Sequence, residues 1–89
     1  MTDVQHLERQ LKALGNRRRL QILSCLKWHE SMHVSDIAKE VDLRIFATSQ
    51  HLRILRNAKI VEFKKQGPIV RYFLLKDQPE PIRSVLKLL

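Results

Sequence analysis

Residues 29–37 read HESMHVSDI and crowd His29, Glu30, Met32, His33 and Asp36 into one short stretch. Imidazole nitrogen, carboxylate oxygen and thioether sulfur are all metal donors, so the first chemistry this stretch suggests is coordination of an ion. A tight site needs three or four donors in fixed geometry, and this spacing matches no zinc motif. His29, Glu30 and His33 would have to recruit His6 from a partner chain. The competing reading is a polar turn running into a helix, with Ser35 as its cap and Asp36 in its first turn. Little else in the chain is reactive. Cys25, the one cysteine, sits in an apolar run with no resolving thiol or activating base and reads as a small buried hydrophobe. A glycine-rich phosphate loop, a nucleophile–base pair and paired carboxylates are all missing, which argues against an enzyme. His51, within SQHL, fits a helix border or a phosphate contact better than catalysis.

The charge points elsewhere. The 89 residues carry 17 Lys and Arg against 9 Asp and Glu, a net +8. Between Arg44 and Arg71 stand Arg44, Arg53, Arg56, Lys59, Lys64, Lys65 and Arg71, opposed only by Glu62, so this segment holds six of the eight net charges. A basic surface of that kind fits a polyanion, most simply double-stranded DNA; the bland alternative is a solvated face that keeps a small protein soluble. A lone cysteine, no apolar run long enough to span a bilayer and no signal-peptide pattern are what a cytoplasmic protein without membrane contact would have. The length predicts one small domain over residues 1–89, with a core that would gain from a partner subunit.

The elements that must position these residues follow from periodicity and punctuation. Thr2-Asp3-Val4-Gln5 has capping-box spacing, and Val4, Leu7, Leu11 and Leu14 recur at helical intervals until Gly15. Asn16 is placed to cap a second helix, Arg17 to about Lys27, that buries Leu20, Ile22, Leu23 and Leu26. After a break at His29–Met32, a short third helix carries Ile37, Ala38 and Val41. Asp42-Leu43 turns, and a fourth helix runs from about Ile45 to Ala58. Ile60–Lys64 and Ile69–Leu75 are β-rich and flank Lys65-Gln66-Gly67-Pro68, a hairpin with a basic tip. Pro79 and Pro81 open a last helix with Ile82, Val85, Leu86 and Leu89. This order predicts a mainly α fold with a small β-hairpin, a winged helix-turn-helix.

On a helical wheel the fourth helix gathers Ile45, Thr48, Leu52 and Leu55 on the side that packs. Phe46, Gln50, Arg53 and Asn57 project from the other, with Ala47 and Ser49 beside them. Gln can pair with adenine, Arg with guanine, and an apolar ring can meet a thymine methyl. Phe46, Ala47 and Gln50 are therefore the expected base contacts, and Arg53 would read a base or hold a phosphate. Phe46 has the alternative of tucking against the third helix. Arg56, Lys64, Lys65 and Arg71 are expected on phosphates, the last three through the wing.

These motifs together resemble the ArsR-type, or arsenic-repressor, family. LGNRRRLQIL (Leu14–Leu23) is similar to its second-helix signature, SDIAKEVDL (Ser35–Leu43) and SQHLRILRNAKIV (Ser49–Val61) to its helix-turn-helix, and KKQGPIVRYFL (Lys64–Leu74) to its wing. The resemblance implies a homodimeric repressor that pairs through its first and last helices. The apolar residues available for that are Val4, Leu7, Leu11, Leu14, Ile82, Val85, Leu86 and Leu89. Two recognition helices related by a two-fold axis would read a near-palindrome, with half-sites roughly 34 Å apart or a multiple of that. There are departures. Arg44, Ile45 and Phe46 stand where the family usually has small polar residues at the start of the recognition helix, and Arg17 where proline is common. Arg17, Arg18 and Arg19 are either further phosphate contacts or exposed surface.

The resemblance also bears on the opening stretch. Thiol-dependent members carry a Cys-x-Cys pair at the start of the third helix, and His33 and Ser35 occupy those positions here. Zinc-binding members use histidines and carboxylates of the last helix, where this chain has only Glu80. The expectation is a DNA-binding regulator with no metal site and no cofactor. A metal- or redox-responsive repressor with an atypical site, or a winged helix that docks on proteins, are the alternatives.

Overall fold

The computed structural model describes residues 3–89, and eight elements follow one another in it. Helix α1 spans Val4–Leu14. Its cap is Asp3, whose carboxylate accepts the His6 N–H at 3.2 Å; the Thr2 end of the expected capping box lies outside the described residues. Helix α2 (Arg17–Trp28) starts at Asn16, whose side-chain oxygen accepts the Arg19 N–H at 3.1 Å. Strand β1 (Met32–His33) leads directly into α3 (Val34–Glu40), and α4 covers Ile45–Asn57. Strands β2 (Val61–Gln66) and β3 (Ile69–Leu74) form the wing, and α5 (Ile82–Leu88) is the last element.

The two helices of the helix-turn-helix end in the same way. At the end of α3 the Leu43 N–H donates to the Ala38 carbonyl at 3.0 Å and the Asp42 N–H to that of Lys39 at 3.3 Å. At the end of α4 the Ile60 N–H reaches the Leu55 carbonyl at 3.0 Å and the Lys59 N–H that of Arg56 at 2.9 Å. Each pair of bonds is a Schellman terminus, which requires a left-handed residue just past the cap. Asp42 (φ 54°) and Lys59 (φ 61°) occupy it without being glycine. The first of these turns aims α4 across α3, and the second feeds the wing.

The sheet has three antiparallel strands in the order β1-β3-β2, one more than the hairpin expected from the sequence. Met32 pairs with Tyr72 and His33 with Arg71. Lys65 and Gln66, expected in the tip, belong to β2, so the loop is only Gly67-Pro68, with Gly67 at φ 61°. A two-residue hairpin loop with glycine in its first position matches strand twist.

The core lies where α2, α3, α4, the base of the wing and α5 meet. Ile22, Leu23, Ile37, Leu52, Leu55, Ile60, Val61 and Ile82 are fully buried there, and Cys25 and Leu43 pack at its edge. Leu20, expected inside, is only half-buried. A mainly helical winged helix-turn-helix is thus what the chain forms. Among the described residues no helix is long and apolar enough to cross a membrane.

Candidate nucleic-acid interface

Helix α4 is anchored by one face and presents the other. Thr48, Leu52 and Leu55 are buried, and the Thr48 hydroxyl donates back to the Arg44 carbonyl at 2.9 Å. Phe46, Gln50, Arg53 and Asn57 are exposed, and none makes a side-chain hydrogen bond to the described residues. Phe46 is 76 % exposed, so it does not tuck against α3. Ile45 corrects the helical-wheel reading. It is 53 % exposed, because the buried face of α4 begins only at Thr48 and the first turn overhangs the domain. Ala47 and Ser49 are half-buried at the borders. Arg44 precedes the helix as its N-cap without a side-chain cap, so the first-turn N–H groups have no side-chain acceptor there.

The basic residues of the wing separate by pleat. Side chains alternate faces along a strand, so Lys65 shares a face with Val61 and Phe63, and Lys64 shares the other with Glu62. The Phe63 face turns to the domain at its base, where Val61 is fully buried. Phe63 packs on Tyr72 with ring centroids 5.7 Å apart, and the Arg56 guanidinium lies 4.3 Å from its centre. Lys65 is on the Phe63 face, opposite Val70 in the register. Lys64 is on the Glu62 face, opposite Arg71 in the register. Arg71 itself is tied down: its Nε donates to Ser31 Oγ and its Nη2 to the Ser31 carbonyl, both at 2.8 Å.

Arg56 is less free than the sequence suggests. Its Nε donates to Glu62 Oε1 at 2.6 Å, and the same carboxylate oxygen accepts the Phe63 N–H at 3.0 Å. Together these two bonds, the backbone one first, hold the Glu62 carboxyl below its ordinary range. Arg44, Arg53, Lys59, Lys64, Lys65 and Arg71 have no carboxylate partner among the described residues. Their charge remains available to an external anion.

The arginines of α2 have structural work that sequence reading missed. Arg19 donates from Nε to the Ala13 carbonyl at 2.7 Å and from Nη2 to the Lys12 carbonyl at 2.9 Å, closing the end of α1. Its Nη1 lies 3.3 Å from His51 Nδ1 on α4. Arginine can only donate, so that nitrogen accepts and the His51 ring proton sits on Nε2. Burial first, then Arg19 and Arg18, push the His51 pKa down. Arg18 donates to the Val41 carbonyl at the end of α3 at 2.5 Å. Only Arg17 of the three is plain exposed surface. No local signal marks these roles, because the acceptors are carbonyls left over at helix ends elsewhere in the chain.

The donors of HESMHVSDI are spread among different tasks. Met32 is 6 % exposed and belongs to the core. His33, not Ser35, occupies the cap of α3: its Nδ1 accepts the Ser35 N–H at 3.2 Å and lies 2.8 Å from Ser35 Oγ. His29 ends α2, and Glu30 is exposed. Asp36 stands in the first turn of α3, as expected. Among the described residues no three His, Cys, Asp or Glu side chains converge as a metal would require. Cys25 is half-buried, and burial followed by the Glu40 charge raises its thiol pKa, away from reactivity.

The apolar residues assigned to a dimer face differ in burial. Leu14 (5 % exposed) and Ile82 (fully buried) belong to the protomer's own core, because α1 ends and α5 begins against it. Val4 (71 %), Leu11 (50 %) and, unexpectedly, Leu88 (84 %) are exposed. Leu7, Val85, Leu86 and Leu89 are half-buried between these two sets.

Residues 16–62 match the model of the bacterial regulatory protein arsR family. The cadmium resistance transcriptional regulatory protein CadC of Listeria innocua is 35 % identical over 63 residues, 71 % of this chain and 53 % of that protein. This chain therefore spans about half the length of the CadC relatives it matches. The transcriptional activator HlyU of Vibrio cholerae is 34 % identical over 79 residues, 89 % of this chain and 69 % of its own. Among solved structures, the homodimeric winged helix-turn-helix DNA-binding domain Mb0332 of Mycobacterium bovis superposes with a TM-score of 0.80 at 27 % identity, over 99 % of this chain and 82 % of that one.

Proposed function

The chain belongs to the arsR family of bacterial regulatory proteins, and from that premise we propose that it is a homodimeric, sequence-specific DNA-binding repressor without an intrinsic metal-sensing site. The observation that carries this reading is the outer face of α4. Phe46, Gln50, Arg53 and Asn57 are exposed and make no side-chain hydrogen bond to the described residues, and Arg44 and the wing residues Lys64 and Lys65 have no carboxylate partner among them. Such a face offers groups for base edges at its centre and positive charge for phosphates at its rim.

In this reading Phe46, Ala47 and Gln50 approach bases, with Arg53 and Ser49 at the border. Arg44, Lys64, Lys65 and Arg71 meet phosphates, and Arg56 does so when it leaves Glu62. Val4, Leu7 and Leu11 of α1 pair with Val85, Leu86 and Leu89 of α5 across the two-fold axis, joined by Leu88. Support for pairing comes from the exposed stripe and from the Mb0332 domain, which is a homodimer. Occupancy of a promoter represses by itself and needs no further surface. The relative HlyU is named an activator, so the direction of regulation is part of the proposal. Support for a metal-free mechanism comes from the employment of the donors: His33 caps a helix, Met32 fills the core, and Cys25 is a raised-pKa thiol.

The test is selection of bound duplexes from a random DNA pool, run with and without zinc, nickel or cobalt. A near-palindromic preference unaffected by tens of micromolar metal is the expected result. Gln50→Ala should relax the preference and Lys65→Ala should weaken all duplexes alike. Failure to bind any duplex at low salt would instead favour a protein-docking role.

A further inference from the structure

Two adjacent large apolar side chains, Ile45 (53 % exposed) and Phe46 (76 % exposed), open the recognition helix. A small domain with so little apolar area to bury has reason to keep such residues inside, yet both stay more than half exposed: the buried face of α4 starts at Thr48. They are not part of the apolar stripe of α1 and α5, where Val4, Leu11 and Leu88 are exposed. Basic and polar exposed residues flank them along the chain. Arg44 precedes them, and Gln50 and Arg53 follow one and two turns later on the Phe46 side of the helix. Neither Arg44 nor Arg53 has a carboxylate partner among the described residues.

An apolar patch bordered by unpaired cations at the leading end of a groove-reading helix is complementary to a polyanion that is itself apolar at one spot. In the major groove that spot is the C5-methyl group of a pyrimidine, the groove's one protruding apolar feature. Building on the reading of this chain as a DNA-binding regulator, we infer that Ile45 and Phe46 form a pyrimidine-methyl reader, so that operator recognition depends on thymine methyls facing the start of α4. The same chemistry accepts 5-methylcytosine in place of thymine at that contact. Arg44, held at the N-cap position just before the patch, fixes the adjacent phosphate and keeps the helix start in the groove.

The experiment uses the preferred duplex obtained by selection. Each thymidine is replaced in turn by deoxyuridine, which removes the methyl and leaves the base-pairing edges intact. Binding is then measured for the wild type and for Phe46→Ala. Loss of one buried methyl corresponds to about a fourfold fall in affinity, and to about fifteenfold when both half-sites are substituted. The expected result is such a loss at one or two positions per half-site in the wild type, and near-indifference to the same substitutions in Phe46→Ala. Replacing a sensitive thymine·adenine pair by 5-methylcytosine·guanine should keep more affinity than cytosine·guanine. Wild-type affinity within twofold after complete uridine replacement, or full sensitivity retained by Phe46→Ala, would overturn the inference while leaving DNA binding intact. Failure of the wild type to bind any duplex removes the underlying reading instead. Phe46 is exposed, so the variant should fold, and an unchanged melting curve verifies it.

Discussion

Glu62→Gln should make this protein less stable and bind DNA more tightly at low salt. Glu62 holds the Arg56 Nε at 2.6 Å, with the side chains 39 % and 48 % exposed, so solvent screens the pair. An ion pair of that exposure contributes about 0.2–1 kcal/mol, and the amide keeps an oxygen for the Phe63 N–H, so the loss should fall in that range. The sign with pH follows from the carboxyl's depressed pKa. The Glu62 contribution is present above the unfolded-state carboxylate pKa and is lost as pH falls through the lower folded value, whereas the variant's amide does not titrate and contributes none of this dependence. On DNA the effect reverses, because Arg56 is released to reach a phosphate. Each added phosphate contact steepens the logarithmic salt dependence by about 0.9, or roughly 3.5-fold between 50 and 200 mM salt, and two in a dimer by about twelvefold. Urea melts at two pH values and binding isotherms across that salt range measure both sides. A salt slope identical to that of the wild type would refute the idea that Glu62 restrains a phosphate-binding arginine. It would leave Arg56, stacked on Phe63, as a wing support only.

Arg19→Ala should destabilise the protein by about 2 kcal/mol, since it strips two carbonyls at the end of α1 of their charged donor, while Arg17→Ala should stay within about 0.5 kcal/mol; urea unfolding of both variants separates them. Lys59→Gly should raise stability by about 0.5–1 kcal/mol, because φ 61° at the end of α4 is a conformation glycine adopts without its Cβ penalty. A higher denaturation midpoint with unchanged slope checks it, and a lower midpoint would show that the Lys59 side chain supports the fold.

What can be read in the sequence is whatever depends on neighbours in the chain. Asn16 as a cap, Gly67 as a hairpin turn and the inward row Thr48, Leu52 and Leu55 are local or periodic signals, and the structure has them. What escapes depends on distant partners. Two residues, Met32 and His33, become a strand only because Tyr72 and Arg71 lie alongside, some 40 residues later. Charge alone puts Arg71 on the basic surface of the wing, and only the fold shows that Ser31, 40 residues earlier, orients its guanidinium. A period of 3.6 marks Leu14 and Ile82 as facing something, without saying whether that is the protomer's core or a partner. The wheel likewise gives the direction of Ile45 but not the point at which the domain stops covering α4. Exposure of the reading face is legible in the sequence; whether its residues touch DNA rests on the experiments above.

The division of labour along α4 has a consequence for how such a regulator changes over generations. The buried side chains Thr48, Leu52 and Leu55 anchor the helix, while those of Phe46, Gln50, Arg53 and Asn57 are exposed and make no hydrogen bond to the described residues. Exposed substitutions away from such contacts usually shift stability by less than about 0.5 kcal/mol. Variation at these four positions is therefore almost free of folding penalty. A duplicated copy could drift toward a new operator one residue at a time, passing only through folded intermediates.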